Sequence, residues 1–335
     1  MLNEKKKVIL KVENISMVFR GKKKFLQKPK PGVKAVSNVS FEVNAGETFG
    51  IVGESGCGKT TLGKCIMRLL VPEAGKLMYN DEGEWVDLLN VDKQRGFELR
   101  KKLQIVFQDP FSSLNPMHTI LEAFDEPMRV HGIGGNKEQR KELIAKALES
   151  VNLQSDYMYR YPHEFSGGQR QRLCVAKALA MGPKLIVLDE PVSALDVSIQ
   201  AQLLNLLRKL QRELGISFIF IAHDLSVVQY ISDRVGVMYL GNMVEIADAD
   251  EVYKKPLHPY TEALLSAVPM PVVGAKKDRI ILTGDVPSPM NPPSGCPFNP
   301  RCVKCMSICQ ETKPELRQIG DSNHYVACHL YDEKA

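Results

Sequence analysis

Alternating hydrophobic and polar positions at the start of the chain have the period of β-strands. Residues 8–19 and 33–43 predict two strands separated by a loop rich in lysine and proline. Phe41 and Val43 lie on the apolar side of the second strand. The chain therefore begins with a predicted hairpin whose two strands share one apolar face.

Continuous apolar runs further along predict strands that are buried on both faces. They occupy residues 47–52, 102–110, 184–190 and 216–223, and residues 234–245 predict a further pair of strands. Buried strands of this kind, separated by helical patterns, are typical of the α/β class.

Helical periodicity fills the segments between these strands. Residues 61–70 place Leu62, Ile66, Leu69 and Leu70 on one face of a helix. Residues 112–180 are helical and polar and predict a helical insertion, and further helices are expected up to Leu214, over residues 249–255 and from Pro259.

A change in composition near the C-terminus predicts a domain boundary. Prolines are dense over residues 269–300, and five of the eight cysteines follow from residue 296 onward. We therefore divide the 335-residue chain into residues 1–255, with the helical subdomain at about 111–181, and a C-terminal extension at 256–335.

Composition is that of an ordinary globular protein, with 44% hydrophobic and 25% charged residues. We find no apolar run of membrane-spanning length and no secretory signal, so a cytosolic location is expected unless a partner recruits the chain to a membrane. Part of the net charge of +5 lies in residues 22–30, which we interpret as a solvated loop rather than a lipid-binding patch.

A glycine-rich segment between the strand at residues 47–52 and the next helix fits the phosphate-binding pattern G-x-x-x-x-G-K-[ST]. Its residues, with the threonine that follows, are Gly53, Glu54, Ser55, Gly56, Cys57, Gly58, Lys59, Thr60 and Thr61. Glycines let backbone N–H groups surround a polyphosphate, and the helix N-terminus adds partial positive charge.

Two side chains of this loop have predicted chemical roles. Lys59 is expected to reach the β and γ phosphates, and the Thr60 hydroxyl to ligate Mg²⁺. In the hairpin upstream, Phe19 is a candidate for stacking on the nucleotide base, although burial in the core explains this aromatic equally well.

Polar residues follow three of the buried strands, where ligands bind in open α/β sheets. Gln108 is placed to reach a bound metal or water, Asp189 to hold Mg²⁺, and Glu190 to orient and polarise water. His223 ends the strand at residues 216–223 and is a further candidate at the same edge.

A second helix start has the features of an anion site. Ser166, Gly167, Gly168 and Gln169 open a strongly helical run, and we expect bare N–H groups there. One nucleotide needs one phosphate cradle, so a second cradle suggests a site shared between two subunits.

Taken together, these motifs resemble the ATP-binding subunits of ABC transporters. The glycine loop, Gln108, the Ser166 helix start, Asp189 with Glu190, the turn ending at Asp196, and His223 occur in that family's order. The resemblance implies a P-loop NTPase fold with an antiparallel β subdomain and a helical subdomain. It also implies a head-to-tail dimer in which the helix start at Ser166 closes on the ATP that is bound to the partner subunit. Asp196 would lie near the nucleotide.

Three further segments are similar to the ATPases of oligopeptide and dipeptide permeases. They begin at Gln108, His258 and Gly295, and the P-loop is closer to the second of the two paralogous ATPases, the F-subunit type. The resemblance implies a paralogous ATPase subunit, two transmembrane permease subunits and an extracytoplasmic peptide-binding protein as partners, with no nucleic acid. It places the chain peripherally on the cytoplasmic face of the cell membrane.

Clustered cysteines near the C-terminus are the remaining candidate site. Cys296, Cys302, Cys309 and Cys328 look like the four cysteines that hold a [4Fe–4S] cluster in this permease family. A four-cysteine zinc site is the alternative, and Cys302-x-x-Cys305 has a familiar zinc spacing. Cys305 is extra to the four, and His324 and His329 are substitute ligands.

The function expected from the sequence is ATP hydrolysis that drives uptake of di- and oligopeptides. An importer of nickel chelates or other small solutes is an alternative. So is a soluble ABC-type ATPase acting on DNA or ribosomes, although one cassette without a heptad run argues against it. A regulatory module without hydrolysis is disfavoured by the presence of Glu190 and His223.

Overall fold

The structure is a computed structural model that describes residues 7–21, 32–267, 280–320 and 322–332. The loop of residues 22–30, predicted to be solvated, lies outside the described residues.

Twelve strands are present in the described part of the chain. They are β1 (Val8–Phe19), β2 (Val33–Asn44), β3 (Thr48–Val52), β4 (Ala74–Asp81), β5 (Glu84–Asp87), β6 (Leu103–Val106), β7 (Leu185–Asp189), β8 (Ser217–Ala222), β9 (Arg234–Tyr239), β10 (Asn242–Asp248), β11 (Arg317–Gln318) and β12 (Tyr325–Val326).

Eleven α-helices accompany them in the same described residues. They are α1 (Lys59–Ile66), α2 (Lys93–Lys102), α3 (Pro110–Ser113), α4 (Ile120–Val130), α5 (Lys137–Ser150), α6 (Gly167–Leu179), α7 (Val197–Leu214), α8 (Leu225–Ile231), α9 (Ala249–Lys254), α10 (Pro259–Ser266) and α11 (Ile308–Glu311).

Contacts divide the chain into two compact units. The first unit comprises mainly Val43–Thr48 and Asn90–Ile221. The second comprises Phe49–Leu89 with the described residues of Ile9–Glu42 and those from Ala222 onward. The boundary predicted near residue 256 follows the linear sequence rather than these contacts, and it stays a prediction.

The first unit combines a parallel sheet with helices. Strand β7 lies between β6 and β8, and Val106 pairs with Leu188 while Asp189 pairs with Ile221. Every residue of β7 and β8 is buried, which agrees with their continuous apolar sequences. Helix α5 packs against both α4 and α6 within the predicted helical insertion.

The second unit contains an antiparallel sheet of order β2-β1-β4-β5. It also contains β3 paired in parallel with β9, which continues antiparallel through β10 and β12 to β11. The two strands nearest the C-terminus thus extend the sheet that carries β3. Both units have mixed α/β character, as predicted for the cassette.

One helix is shorter than its apolar pattern predicts. Helix α1 ends at Ile66, and Arg68 follows with a positive φ of 54°. The left-handed residue turns the chain away, so Leu69 is 54% exposed instead of lying on the buried face. The prediction of a helix continuing to Leu70 was wrong because hydrophobic spacing does not report this backbone reversal.

The helices of the described residues include none long and apolar enough to cross a membrane.

Candidate functional site

The glycine loop connects β3 to α1, as the motif predicts. Lys59 opens α1 and is only 4% exposed, with its ammonium group donating to the carbonyl oxygens of Gly53 at 2.8 Å and Glu54 at 3.1 Å. Two backbone carbonyls of the loop therefore hold the Lys59 ammonium group within the loop. A polyphosphate entering the loop offers a stronger, charge-assisted acceptor for the same donors.

Gly58 is the N-cap of α1 and must be glycine. Its φ is +105°, and a Cβ at this position would lie 2.0 Å from the carbonyl oxygen of Ala35. The neighbouring Cys57 is buried, and burial raises the pKa of its thiol. The N–H of Gly241 donates to the Cys57 carbonyl at 2.8 Å, which fixes the loop against the turn between β9 and β10.

The remaining loop residues lie nearer the surface. Ser55 and Gly56 are exposed, and Thr60 and Thr61 are half-buried in the first turn of α1. Phe19 ends β1 with 41% of its surface exposed, so burial in the core does not explain this residue. Stacking of Phe19 on a base stays a prediction.

Gln108 and Glu190 meet in the first unit. The Gln108 side-chain amide donates to the Glu190 carboxylate at 3.0 Å. The two residues follow β6 and β7, which are neighbouring parallel strands, so both emerge at the same edge of the sheet. Asp189 ends β7 and is 3% exposed. Amide and carboxylate oxygens at one edge suit Mg²⁺, which prefers oxygen ligands.

Glu190 has a strained backbone that sequence reasoning did not predict. Its φ is +48°, a region that costs about 1–3 kcal/mol for residues other than glycine. Its N–H donates to the carbonyl of Ile221 at 2.9 Å, and its carbonyl accepts from the Ser193 hydroxyl at 3.1 Å. These bonds fix the turn that carries the carboxylate, and Asp196, farther along, is exposed at the N-cap of α7.

The second predicted anion site begins α6 and is already capped. The Ser166 hydroxyl accepts from the Gln169 N–H at 3.4 Å, and the Gln169 side chain accepts from the Ser166 N–H at 3.0 Å. The expectation of bare N–H groups was therefore wrong for these two residues. Gly167 has open space around it, whereas a Cβ on Gly168 would lie 2.5 Å from Ile199 of α7.

Helix α6 is tied to the segment that follows Gln108. The Lys177 ammonium donates to the Ser113 carbonyl at 3.2 Å, and the Cys174 thiol lies 3.9 Å from the Pro110 carbonyl. Burial lowers the pKa of Lys177. These contacts join the helix that begins at Ser166 to the segment that follows Gln108. The only sequence signal for them was Lys177, a lysine within an otherwise apolar stretch of α6.

His223 is exposed and directly follows β8, as predicted. It belongs to the second unit, together with the glycine loop and α1.

Four of the C-terminal cysteines lie near one another in the second unit. Burial raises the pKa of Cys296 to about 12 and that of Cys328 to about 11, and the thiols of Cys302 and Cys309 add to both pKa shifts. Nevertheless, no group of three or more His, Cys, Asp or Glu side chains among the described residues is arranged to hold a metal ion. The donor chemistry fits a metal centre, whereas the side-chain geometry is not that of a formed site.

The two histidines predicted as substitute ligands have other partners. His324 Nε2 lies 2.7 Å from buried Glu245. His329 Nδ1 lies 2.7 Å from Asp332, and its Nε2 lies 2.9 Å from the Thr312 carbonyl oxygen. Both side chains therefore brace the C-terminal segment and are not free to replace a cysteine.

Two family models match the chain. One is described as "ABC transporter" and matches residues 36–193, and the other as "Oligopeptide/dipeptide transporter, C-terminal region" and matches residues 244–309.

Curated relatives are similar over nearly the whole chain. The oligopeptide transport ATP-binding protein AppF of Bacillus subtilis is 49% identical over 96% of this chain and 97% of the relative. The oligopeptide transport ATP-binding protein OppF of Salmonella typhimurium is 48% identical over 98% of both.

Solved structures also resemble the fold. The dimeric bacterial ABC transporter cassette MJ0796 has a TM-score of 0.61 at 27% identity and covers 72% of this chain and 99% of its own. The cbiO1 component of a Clostridium perfringens ABC transporter complex has a TM-score of 0.62 at 26% identity, covering 74% and 92%.

Proposed function

Because the chain belongs to the oligopeptide transport ATP-binding proteins of the ABC transporter family, and is thus an ABC-type ATPase, we propose that it powers uptake of di- and oligopeptides. Lys59 and the loop N–H groups bind the phosphates, and Glu190 polarises the attacking water. Thr60, Gln108 and Asp189 would hold Mg²⁺, which neutralises charge on the phosphates. His223 contacts the γ-phosphate.

One contact supports this assignment above the others. The Gln108 amide lies 3.0 Å from the Glu190 carboxylate, directly after buried Asp189. A metal-binding carboxylate, an amide and a second carboxylate at one sheet edge are the groups that phosphoryl transfer to water requires. The Glu190 backbone, with its positive φ, is held at this edge by its bonds with Ile221 and Ser193.

The substitution Glu190→Gln tests the role of that carboxylate. We expect ATP turnover to fall by about 10²–10⁴-fold because the amide is not a base, while ATP-bound dimers persist. Turnover is measured by phosphate release from the chain with its ATPase partner, and dimers by size-exclusion chromatography with ATP. Exposed Glu213→Gln is the matched control and keeps turnover; unchanged turnover in Glu190→Gln would remove this residue from the reaction.

The assembly is proposed by analogy with dimeric relatives. The post-hydrolysis structure of MJ0796 bound to ADP and phosphate is dimeric. We propose that this chain pairs with a paralogous ATPase, so that Ser166, Gly167, Gly168 and Gln169 close on the partner's ATP, and Asp196 lies beside it. Two permease subunits and an extracytoplasmic peptide-binding protein complete the importer, and the chain lies on the cytoplasmic face of the membrane.

Peptides are favoured over other substrates by the match to the oligopeptide/dipeptide transporter C-terminal region. Nickel chelates remain the competing substrate class. Uptake of a labelled dipeptide and of a labelled nickel chelate by cells with and without the gene distinguishes the two. Loss of nickel uptake alone would contradict the peptide assignment.

We also propose a [4Fe–4S] cluster at Cys296, Cys302, Cys309 and Cys328, with Zn²⁺ as the alternative, in a small cysteine-rich extension over residues 256–335. The proximity of these four thiols, two of them buried and two half-buried, supports it, although their side-chain positions are not those of a formed site. Such a centre would supply structural cross-linking of this extension.

Metal analysis and the visible spectrum of protein purified without oxygen test this proposal. A visible band at ~400 nm with about four irons per chain supports the cluster. Zinc without colour supports the alternative, and absence of both metals contradicts the proposal.

A further inference from the structure

Glu54 of the glycine loop makes three different contacts with three parts of the second unit. Its carboxylate accepts two hydrogen bonds from the Arg301 guanidinium, Nη1 to Oε2 at 2.9 Å and Nη2 to Oε1 at 3.1 Å. Its N–H donates to the Tyr260 hydroxyl at 2.9 Å. Its carbonyl accepts from the Lys59 ammonium at 3.1 Å. One loop residue therefore connects Arg301 and Tyr260 to the phosphate-binding lysine.

Arg301 is held in place by the C-terminal segment. It ends a 3₁₀ turn, Asn299–Arg301, and its side chain is 8% exposed. The guanidinium lies 5.9 Å from the centre of the Tyr239 ring, and Nη1 is 3.4 Å from the hydroxyl of that residue. Phe298, just before the turn, packs against the rings of Tyr239 and Tyr260. The arginine is thus held by its contact with Tyr239, and the turn that carries it is packed against Tyr239 and Tyr260 through Phe298.

The turn is joined to the cysteine-bearing residues through Asn299, whose N–H donates to the Cys296 carbonyl at 3.0 Å. The Arg301 N–H donates to the Phe298 carbonyl at 3.0 Å, and the Cys296 N–H donates to the Cys309 carbonyl at 2.8 Å. The Asn299 side-chain amide lies 3.3 Å from the same Cys309 carbonyl. The conformation of the turn that carries Arg301 therefore depends on the cysteine-bearing segment being ordered.

The charge on Glu54 explains why an arginine is needed here. A carboxylate within a polyphosphate-binding loop adds negative charge where the ligand is already negative. Arg301 cancels that charge through a two-point pair, a geometry that arginine provides and lysine does not. Removal of the arginine would leave a partly buried carboxylate without its counter-ion beside the phosphates.

We propose that Arg301 is a positioning residue for ATP, which neutralises Glu54 and, through the main chain of Glu54, holds Lys59 and the loop ready for phosphate. Affinity for ATP then depends on the order of the C-terminal segment that carries Arg301. The inference rests on the proposed ATPase function, and it adds to that function a dependence of the nucleotide site on residues of the C-terminal region.

The test uses the full chain with its ATPase partner and a fluorescent N-methylanthraniloyl ATP as the probe. Arg301→Met is expected to weaken binding by about tenfold, and less at about 0.5 M salt than at about 0.05 M, because salt screens the carboxylate of Glu54, which is only partly buried. Adding Glu54→Gln to Arg301→Met should restore affinity to within about threefold of Glu54→Gln alone, since no charge is then left uncancelled.

A matched control lies in the same segment. Lys304 pairs with Glu262 at 2.7 Å and has no contact with the glycine loop among the described residues, so Lys304→Met removes a similar ion pair elsewhere. We expect it to leave the ATP affinity unchanged. Arg301→Lys keeps the charge and provides a second variant if Arg301→Met does not fold; it should weaken binding less than Arg301→Met and more than Lys304→Met.

Several results would overturn the inference. Equal ATP affinity in wild type, Arg301→Met and Arg301→Lys would show that the pair only docks the C-terminal segment. Failure of Glu54→Gln to restore the affinity of Arg301→Met would exclude charge neutralisation. Absence of ATP binding in the wild type would instead contradict the proposed function itself, so the two failures are distinguishable.

Discussion

The first turns of α1 and α6 were both predicted to face phosphate, and the structure makes them chemically different. Helix α1 is preceded by Gly58, which has no side chain to accept from the first N–H groups. Helix α6 is preceded by Ser166, whose hydroxyl forms a reciprocal capping box with Gln169. A helix start without a side-chain cap leaves donors for a ligand, whereas a capped start is stable without one.

The difference fits two separate tasks. The start of α1 lies in the loop that is proposed to bind phosphate within the same chain, and Lys59 is held there by the loop carbonyls. The start of α6 is proposed to meet ATP only when a partner subunit brings it near. The capping box stabilises the start of α6 while no ATP is near it. Gly167 has open space around it, which leaves room for the partner's ATP.

The substitution Gly58→Ala is expected to have the largest effect on this contrast. A Cβ would lie 2.0 Å from the Ala35 carbonyl oxygen, in a backbone conformation that alanine disfavours. We expect a loss on the order of 2–5 kcal/mol in the free energy of unfolding, together with loss of ATP binding. Chemical denaturation and probe binding measure the two effects.

Gly56→Ala is the matched control in the same loop. Gly56 also has positive φ, at +78°, but a Cβ there would have nothing within 4 Å. We therefore expect Gly56→Ala to lose only about 1 kcal/mol of unfolding free energy, from the unfavourable backbone conformation alone. If the two variants lose similar stability, the close approach of Ala35 does not define the start of α1.

How much of this loop could be predicted depends on the range of the interactions. The Lys59 position and the strand–loop–helix order follow from eight consecutive residues, because the motif encodes local backbone geometry. The Glu54 contacts with Tyr260 and Arg301 join residues more than two hundred positions apart, and no local pattern indicates them. The early end of α1 was missed for a different reason, since Arg68 is not a residue type that announces a left-handed turn.

Acid should destabilise the surroundings of α1 through a third helix start, that of α10. His258 caps α10 by accepting from the Tyr260 N–H at 3.1 Å, and Tyr260 in turn holds the Glu54 N–H. Burial lowers the pKa of His258 to about 4, although the nearby Glu245 carboxylate opposes this. In the unfolded chain the histidine pKa is ~6.5, so the unfolded chain is protonated first as the pH falls. Stability is therefore full above about pH 6.5 and falls by about 3 kcal/mol as the pH drops to about 4.

Denaturant unfolding at a series of pH values measures this loss. The control is His258→Asn, whose side-chain oxygen can still cap the helix but does not titrate. The variant should have a shallower fall in stability between about pH 6.5 and about pH 4. Equal slopes in the two proteins would assign the acid sensitivity to other groups.

In the first unit, the sequence predicted the positions of the polar residues but not the backbone conformation of Glu190 or the capping of α6. The apolar run of β7 and the Asp189–Glu190 pair were evident in the sequence, and Gln108 was expected at the same sheet edge, but its direct contact with Glu190 was not predicted. The positive φ of Glu190 was not predictable, because it is supported by a bond from the Glu190 N–H to the Ile221 carbonyl of a neighbouring strand, together with the bond from the Ser193 hydroxyl within the turn. The capping box at Ser166 is encoded in the sequence as Ser-x-x-Gln, but the two glycines between these residues favour interpretation as an anion site.

The smallest effect is expected at the capped helix, from Ser166→Ala. Loss of the hydroxyl leaves the Gln169 N–H without its acceptor and should cost about 1 kcal/mol of unfolding free energy, measured by denaturant titration without nucleotide. Ser166→Thr, which retains a hydroxyl acceptor, should lose less than Ser166→Ala. In the chain without its ATPase partner, where α6 meets no ATP, added nucleotide should not change the difference between the two variants. If Ser166→Ala is as stable as the wild type, the capping box contributes nothing, and the start of α6 is as open to a ligand as that of α1.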